Sequence, residues 1–199
     1  VSGSGSWLVD SDSKEMVPKL PSYWQDTPHA LRDLQEENSK GPQPKQALLV
    51  TADVIGLYSN IPQQEGMKVF REALNNSTFR PNPKFPTGFL MTLLGFILTL
   101  NLFVFDSAFW LQVQGTAMGT RVAPTFACIF MGWLEAAMLA AWTGSLVHLW
   151  RRFIDDIFFI WYGTEDELKE FMQHCNSFHP TIKFTFEYDT STRSVNFLD

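Results

Sequence analysis

The sequence predicts an α+β fold, an antiparallel sheet of the split βαβ (ferredoxin-like) kind with helices on one face. Three observations predict it. Residues 47–54 form an apolar run broken only by Thr51 and Asp53, as in a strand buried on both faces. Arg151-Arg152-Phe153-Ile154-Asp155-Asp156-Ile157-Phe158-Phe159-Ile160-Trp161 places two adjacent carboxylates between β-prone apolar arms, as in a hairpin bent at or beside Asp155 and Asp156. Helical periodicity fills the stretches between the first strand and the hairpin and again after it, before the alternating residues 182–188. With the insertion near 88–113 set aside, strand, helix, hairpin, helix and strand is the order of a split βαβ sheet.

The elements follow in order. Residues 1–25, punctuated by Pro18 and Pro21, read as irregular. Thr27 caps a short helix with Pro28 at its first position and Leu31 and Leu34 on one side, and Gly41-Pro42-Gln43-Pro44 stops it. After the strand at 47–54, a helix over 63–75 carries Met67, Phe70 and Leu74 on one face. Residues 79–86 are a loop whose Arg80 and Lys84 join Lys68 and Arg71 in a small basic patch. Such a patch either touches a phosphate backbone or serves only solubility. The apolar, uncharged run 88–105 is at the lower length limit for a membrane span, and Thr92, Thr99 and Asn101 interrupt it. It reads as a buried helix running into a strand. Two short strands then flank Asp106-Ser107. The turn Gln114-Gly115-Thr116-Ala117-Met118-Gly119 lacks a phosphate-loop pattern, and its glycines imply close backbone approach. Pro124 opens a long helix over about 125–140. After the hairpin, Thr164 and Glu167 form a capping box for a helix lined by Leu168, Phe171 and Met172.

The 199 residues suffice for a sizeable core, and 45% hydrophobic and 15% aromatic content excludes a disordered chain. Cys128 and Cys175 give neither a disulfide framework nor zinc spacing, so an intracellular compartment is expected, nucleus or cytoplasm. A net charge of −6 and a pI near 5.2 argue against a free-standing nucleic-acid binder. They fit a carboxylate-rich catalytic core whose grip on a phosphate backbone comes from elsewhere.

Asp155 and Asp156 allow two readings: a solvated acidic turn, or a cation site. The split βαβ order brings the end of the first strand beside the hairpin, so Asp53 is expected to face Asp155. Three carboxylates at one point repel unless compensated, and two Mg²⁺ ions would compensate them and support phosphoryl chemistry.

Three ordered segments, Asp53 through Tyr58, Gln114 through Gly119 with Ala123-Pro124, and Phe153-Ile154-Asp155-Asp156, resemble motifs of reverse transcriptases. Leu57-Tyr58-Ser59-Asn60-Ile61-Pro62, the block 115–135 and His179-Pro180-Thr181-Ile182-Lys183-Phe184-Thr185 resemble most closely those of Penelope-like retroelements, a group related to telomerase reverse transcriptase. The resemblance covers roughly residues 23–199. It implies a polymerase palm with part of the fingers: residues 1–46 as an irregular N-terminal region and part of the fingers, 47–199 as the palm, truncated before the thumb. The basic fingers residues are expected before Val1, the thumb after Asp199, and no endonuclease segment is visible.

The implied activity is RNA-directed DNA polymerisation, nucleotidyl transfer of deoxynucleotides to a primer 3′-hydroxyl with two Mg²⁺, or Mn²⁺ in their place. The implied partners are an RNA template, a DNA primer and deoxynucleoside triphosphates, with no membrane. By the resemblance Asp53 and Asp155 hold both metals, Asp156 supports them, and the Val54 carbonyl completes one shell. Tyr58 stands under the sugar and excludes a 2′-hydroxyl, although a core tyrosine would read the same. Gln114 and Gly115 touch nucleotide and template. Lys183 is either a proton donor to pyrophosphate or a solvated strand residue, and residues 195–199 match the start of a primer-gripping segment. The alternative function is a decayed or domesticated fragment that binds RNA or protein without polymerising.

Overall fold

A computed structural model describes residues 2–44, 47–116 and 119–198. Ala117 and Met118 of the glycine turn, and Asp199 of the 195–199 segment, lie outside the described residues. The fold is mixed α+β, and the chain divides into two compact units. One comprises Val1–Leu20 and Gly56–Trp133, the other Pro21–Ile55 and Leu134–Asp199.

The second unit is built on a four-stranded antiparallel sheet. Its strands are β1 (Leu48–Val54), β4 (Val147–Phe153), β5 (Asp156–Trp161) and β6 (Phe184–Glu187), in the order β4-β5-β1-β6. The hairpin therefore lies at one side, and the first and last strands pair. Val50 opposite Phe159 and Leu48 opposite Trp161 share one face. Helix α7 (Glu165–Phe178) covers that face, with the Phe171 ring 5.7 Å from Phe159 and 5.4 Å from Trp161. The expected capping box is present: Thr164 accepts from the Glu167 amide, and the Glu167 carboxylate reaches back to the Thr164 amide.

The opposite face carries Leu49, Thr51 and Asp53 beside Ile160, Phe158 and Asp156. It is apolar at one end and acidic at the other. Helix α2 (Thr27–Ser39) packs over the apolar end through Ala30 and Leu34, with Trp24 stacked on Phe158 at 5.9 Å and Phe197 alongside. Helices are thus not confined to one face, as the sequence had suggested. The apolar half of the second face needs cover, and α2 supplies it. An ion pair, Arg151 Nε to Asp33 at 2.6 Å, and a polar contact, His148 Nε2 to Glu37 at 2.6 Å, anchor this helix. Its N-cap is Asp26, which accepts from the His29 amide at 2.8 Å, so Thr27 is the first helical residue rather than the cap.

The first unit holds α1 (Ser2–Ser13), a 3₁₀ turn (Lys14–Lys19), α3 (Leu57–Asn60), α4 (Gln63–Asn75), α5 (Thr87–Thr99), the hairpin β2 (Leu102–Phe105) and β3 (Ala108–Leu111), and the first part of α6 (Val122–Ala141). The expectation of an irregular start is corrected by α1. Its Ser- and Gly-rich sequence has poor intrinsic propensity, so tertiary contacts hold it. Ser6 Oγ accepts from the Val122 amide at 3.0 Å, Asp10 accepts from Thr125 Oγ1 at 2.7 Å, and Asp12 pairs with Arg80 at 2.5 Å. Asp12 also accepts from the Lys84 and Phe85 amides. Arg80 is therefore buried in an ion pair and is no member of a surface basic patch.

The run 88–105 forms α5 and then β2, as expected. Helix α6 is long and apolar enough to cross a membrane, and 72% of its most apolar stretch is buried. The β2–β3 hairpin is exposed and apolar, with Val104, Phe105, Phe109 and Trp110 turned outward.

Candidate active site

The candidate site lies at the acidic end of the second sheet face. Asp53, one residue from the end of β1, stands directly opposite Asp156, the first residue of β5. Asp155 precedes it in the two-residue turn Ile154-Asp155. The Val54 amide donates to the Asp155 carbonyl at 3.1 Å and ties the turn to the end of β1. The fold thus brings Asp53, Val54, Asp155 and Asp156 together from distant parts of the chain.

Asp53 is exposed, and Asp155 and Asp156 are half-buried. Burial, and then the charge of Asp155, raises the Asp53 carboxyl above its ordinary pKa. Burial, then Asp155 and then Asp53 do the same for Asp156. Among the described residues, no Lys or Arg forms an ion pair with any of the three. Nor do three His, Cys, Asp or Glu side chains gather closely enough to make a preformed metal cage. The carboxylates therefore repel one another without compensation, in a place that favours cations or protons over anions.

Beside them opens a cleft of about 200 Å³, lined by Thr51, Asp53, Asp156, Thr185, Glu187 and Asn196. Asn196 lies in the 195–199 segment, whereas Thr185 and Glu187 are not among the site residues expected from the sequence. The alternation of β6 carried a signal, because Thr185 pairs with Asp53 and Glu187 with Thr51.

Behind the turn lies a buried brace. Arg152 is 0% exposed and donates through Nε to Glu135 Oε1 at 2.8 Å and through Nη1 to the Ile154 carbonyl at 2.7 Å. Ser22 Oγ donates to the second Glu135 oxygen at 2.6 Å. The Arg152 amide donates to the Ser22 carbonyl and the Trp24 amide to the Arg152 carbonyl, which fixes β4 against the 21–24 segment.

Lys183 precedes β6, and its ammonium donates to the carbonyls of Asn176 at 2.5 Å and His179 at 2.8 Å, at the C-terminal end of α7. Positive charge is favoured there, where the last helical carbonyls lack partners.

Tyr58, Gln114 and Gly115 belong to the first unit and form a junction there. The Gly115 amide donates to the Ile61 carbonyl at 3.1 Å and the Thr116 amide to the Tyr58 carbonyl at 2.7 Å. Gly115 has φ +71°, and a Cβ at that position would collide with the Tyr58 carbonyl and the Ser59 backbone. Only glycine allows this approach. Gln114 is exposed, and Tyr58 is half-buried.

No protein-family model matches the chain, and no curated protein matches it. Solved structures do. A telomerase from Candida albicans, in complex with a TWJ fragment of telomeric RNA, aligns with TM-score 0.74 at 9% identity, over 97% of this chain and 37% of that one. Telomerase from Candida tropicalis aligns with TM-score 0.66 at 14% identity in its apo form, over 96% of this chain and 37% of that one. Bound to the same kind of RNA fragment, it aligns with TM-score 0.67 at 13% identity, over 96% of this chain and 34% of that one. The chain thus spans little more than a third of the telomerases it matches, and at these identities it shares with them a fold, that of one portion of a telomerase chain.

Proposed function

We propose that the chain is the catalytic core of an RNA-directed DNA polymerase of a retroelement, a palm with part of the fingers, whose motifs resemble most closely those of Penelope-like elements. One observation carries this reading: Asp53 stands opposite Asp156, beside the turn that holds Asp155, at the open end of an antiparallel sheet. The strand order β4-β5-β1-β6, with α7 linking the last two strands in sequence, supports a split βαβ palm. The fold shared with telomerase over nearly the whole chain supports a polymerase.

The carboxylates fit Mg²⁺ or Mn²⁺. They offer hard oxygen donors, burial and then mutual repulsion raise the pKa values of Asp53 and Asp156, and among the described residues no cation pairs with them. Asp53 and Asp155 would hold the ions, Asp156 would support them, and the Val54 carbonyl would complete one shell. The ions would supply activation of a primer 3′-hydroxyl and charge neutralisation at the leaving pyrophosphate.

The remaining work falls to the chain itself. Tyr58 excludes a 2′-hydroxyl by bulk and so selects deoxynucleotides. Gln114 offers its exposed side-chain amide to nucleotide and template, and Gly115, whose own amide and carbonyl are bonded within the fold, lies against them by shape alone. The cleft at Thr185 and Asn196 receives the primer end, next to the 195–199 segment. Lys183 can serve as proton donor to pyrophosphate only by leaving the two carbonyls that hold it. The RNA template, the DNA primer and the deoxynucleoside triphosphates are the partners this reading requires.

The test is Mn²⁺ binding, followed by electron paramagnetic resonance, together with primer extension on an RNA template. Asp53→Asn and Asp155→Asn should each abolish extension and weaken Mn²⁺ binding while the circular dichroism spectrum stays native. Wild-type binding in both variants would remove the metal assignment.

A further inference from the structure

We propose that Gln63 is the positioning residue of the Tyr58–Gly115 junction and, through it, of nucleotide-sugar preference. The inference rests on the reading of Tyr58 above. Gln63 is the first residue of α4. Its single side-chain amide nitrogen donates to the Gly115 carbonyl at 2.9 Å and to the Leu98 carbonyl at 3.0 Å.

The segment 58–63 therefore grips the glycine loop at three points. The Tyr58 carbonyl takes the Thr116 amide, the Ile61 carbonyl takes the Gly115 amide, and the Gln63 side chain takes the Gly115 carbonyl. Both polar backbone groups of Gly115 are satisfied by this one segment. The contact to Leu98 extends the grip to the last turn of α5. Gly115 is buried, and its backbone lies against that of Tyr58 and Ser59. If the loop loosens, the Tyr58 carbonyl loses the Thr116 amide, one of the contacts that set the backbone from which the ring projects. The two backbone bonds are independent of residue type. Gln63 adds a side chain to the grip, and it needs two N–H donors on one nitrogen.

Gln63→Glu provides an isosteric test. It keeps the shape, removes both donors and sets a carboxylate against the Gly115 and Leu98 carbonyls, so Gln63→Ala, which removes the donors without adding charge, is made beside it. The chain is followed by nuclear magnetic resonance, reading amide exchange at Gly115 and Thr116 and the Kd ratio for dUTP against UTP, which differ only at the 2′-hydroxyl, in the presence of Mg²⁺. Exchange at both amides should rise about tenfold, the loss of a typical hydrogen bond, while Val69 and Phe70 in α4 exchange as before. The preference for dUTP should fall by a similar factor. Unchanged exchange overturns the inference, and so does faster exchange with an unchanged dUTP:UTP ratio. A wild-type chain with no preference for dUTP fails the reading of Tyr58 itself and takes the inference with it, a result seen before any variant is made.

Discussion

The brace behind the candidate site gives the sharpest energetic expectation. Arg152 and Glu135 are 0% and 2% exposed, joined at 2.8 Å, and each has a second partner, the Ile154 carbonyl and the Ser22 hydroxyl. Arg152→Met removes the cation and strands a buried carboxylate that keeps only Ser22. Breaking a buried pair from one side costs about 3–5 kcal/mol. For a chain of this size that lowers the melting temperature by roughly 10 °C, at about 2–4 °C per kcal/mol. Replacing both partners, Arg152→Met with Glu135→Leu, should recover most of the loss, because two apolar chains of similar volume avoid the desolvation of both charges. Urea titration of the wild type, the two single variants and the double variant closes the cycle. The double variant should still bind Mn²⁺ more weakly than the wild type, because the Ile154 carbonyl has lost its donor and the Asp155 turn its brace. A single variant within about 1 kcal/mol of wild type, or a double variant as unstable as the sum of the singles, would refute the account.

Three further expectations follow from the geometry. Asp156 holds its proton more tightly when folded than its ordinary value of 3.8, through burial first and then Asp155 and Asp53. Stability from this source is therefore present at low pH and is lost as pH rises from 3.8 through the folded value. Asp156→Asn should raise the pH 7 melting temperature without divalent ions and flatten its pH dependence over that window, and a less stable Asn variant with the same slope would count against it. In the β2–β3 turn, Asp106 and Ser107 have φ +51° and +60°, the pattern of a type I′ turn, which favours glycine at its second position. Ser107→Gly should slow amide exchange in that hairpin, by relief of about 0.5–1 kcal/mol after glycine's own entropy cost. Tyr58→Val should admit ribonucleotides in primer extension, and unchanged sugar selectivity would remove the gate.

The parts of the fold legible in the sequence are those that local pattern specifies. β1, the β4–β5 hairpin, α4 and α7 announce themselves by apolar runs, helical period and a capping box. Helix α1 does not, because Ser6, Asp10 and Asp12 look polar and are held by groups far along the chain. Arg80 looked like a surface cation for the same reason, since nothing near it in sequence names Asp12 as its partner. At the site, Asp53 and the Asp155-Asp156 pair stand out in the sequence because carboxylates are rare in apolar strands. Thr185 and Glu187 do not, because a one-residue change of register would turn both to the other face.

The turn itself shows how the remaining conflict is resolved. Two-residue hairpin turns call for glycine, Asn or Asp where φ is positive, so Asp-Asp is a poor pair for the two central positions. One Asp lies in the bend and the other beside it. Ile154 and Asp155 occupy the bend, Asp156 is already paired with Phe153 in the ladder, and the positive φ of +56° falls on Ile154. A positive φ at the first central position and not the second is the pattern of a type II′ turn, which prefers glycine there. A β-branched residue in that region is strained by about 1–3 kcal/mol. The strain persists because three contacts determine the turn: the Phe153–Asp156 pairing, the Val54 amide on the Asp155 carbonyl, and the Arg152 guanidinium on the Ile154 carbonyl. Asp155 and Asp156 thus sit on a rigid, strained bend whose support reaches back to a buried ion pair. That rigidity, rather than any attraction among the acids, holds three mutually repelling carboxylates at one end of the sheet.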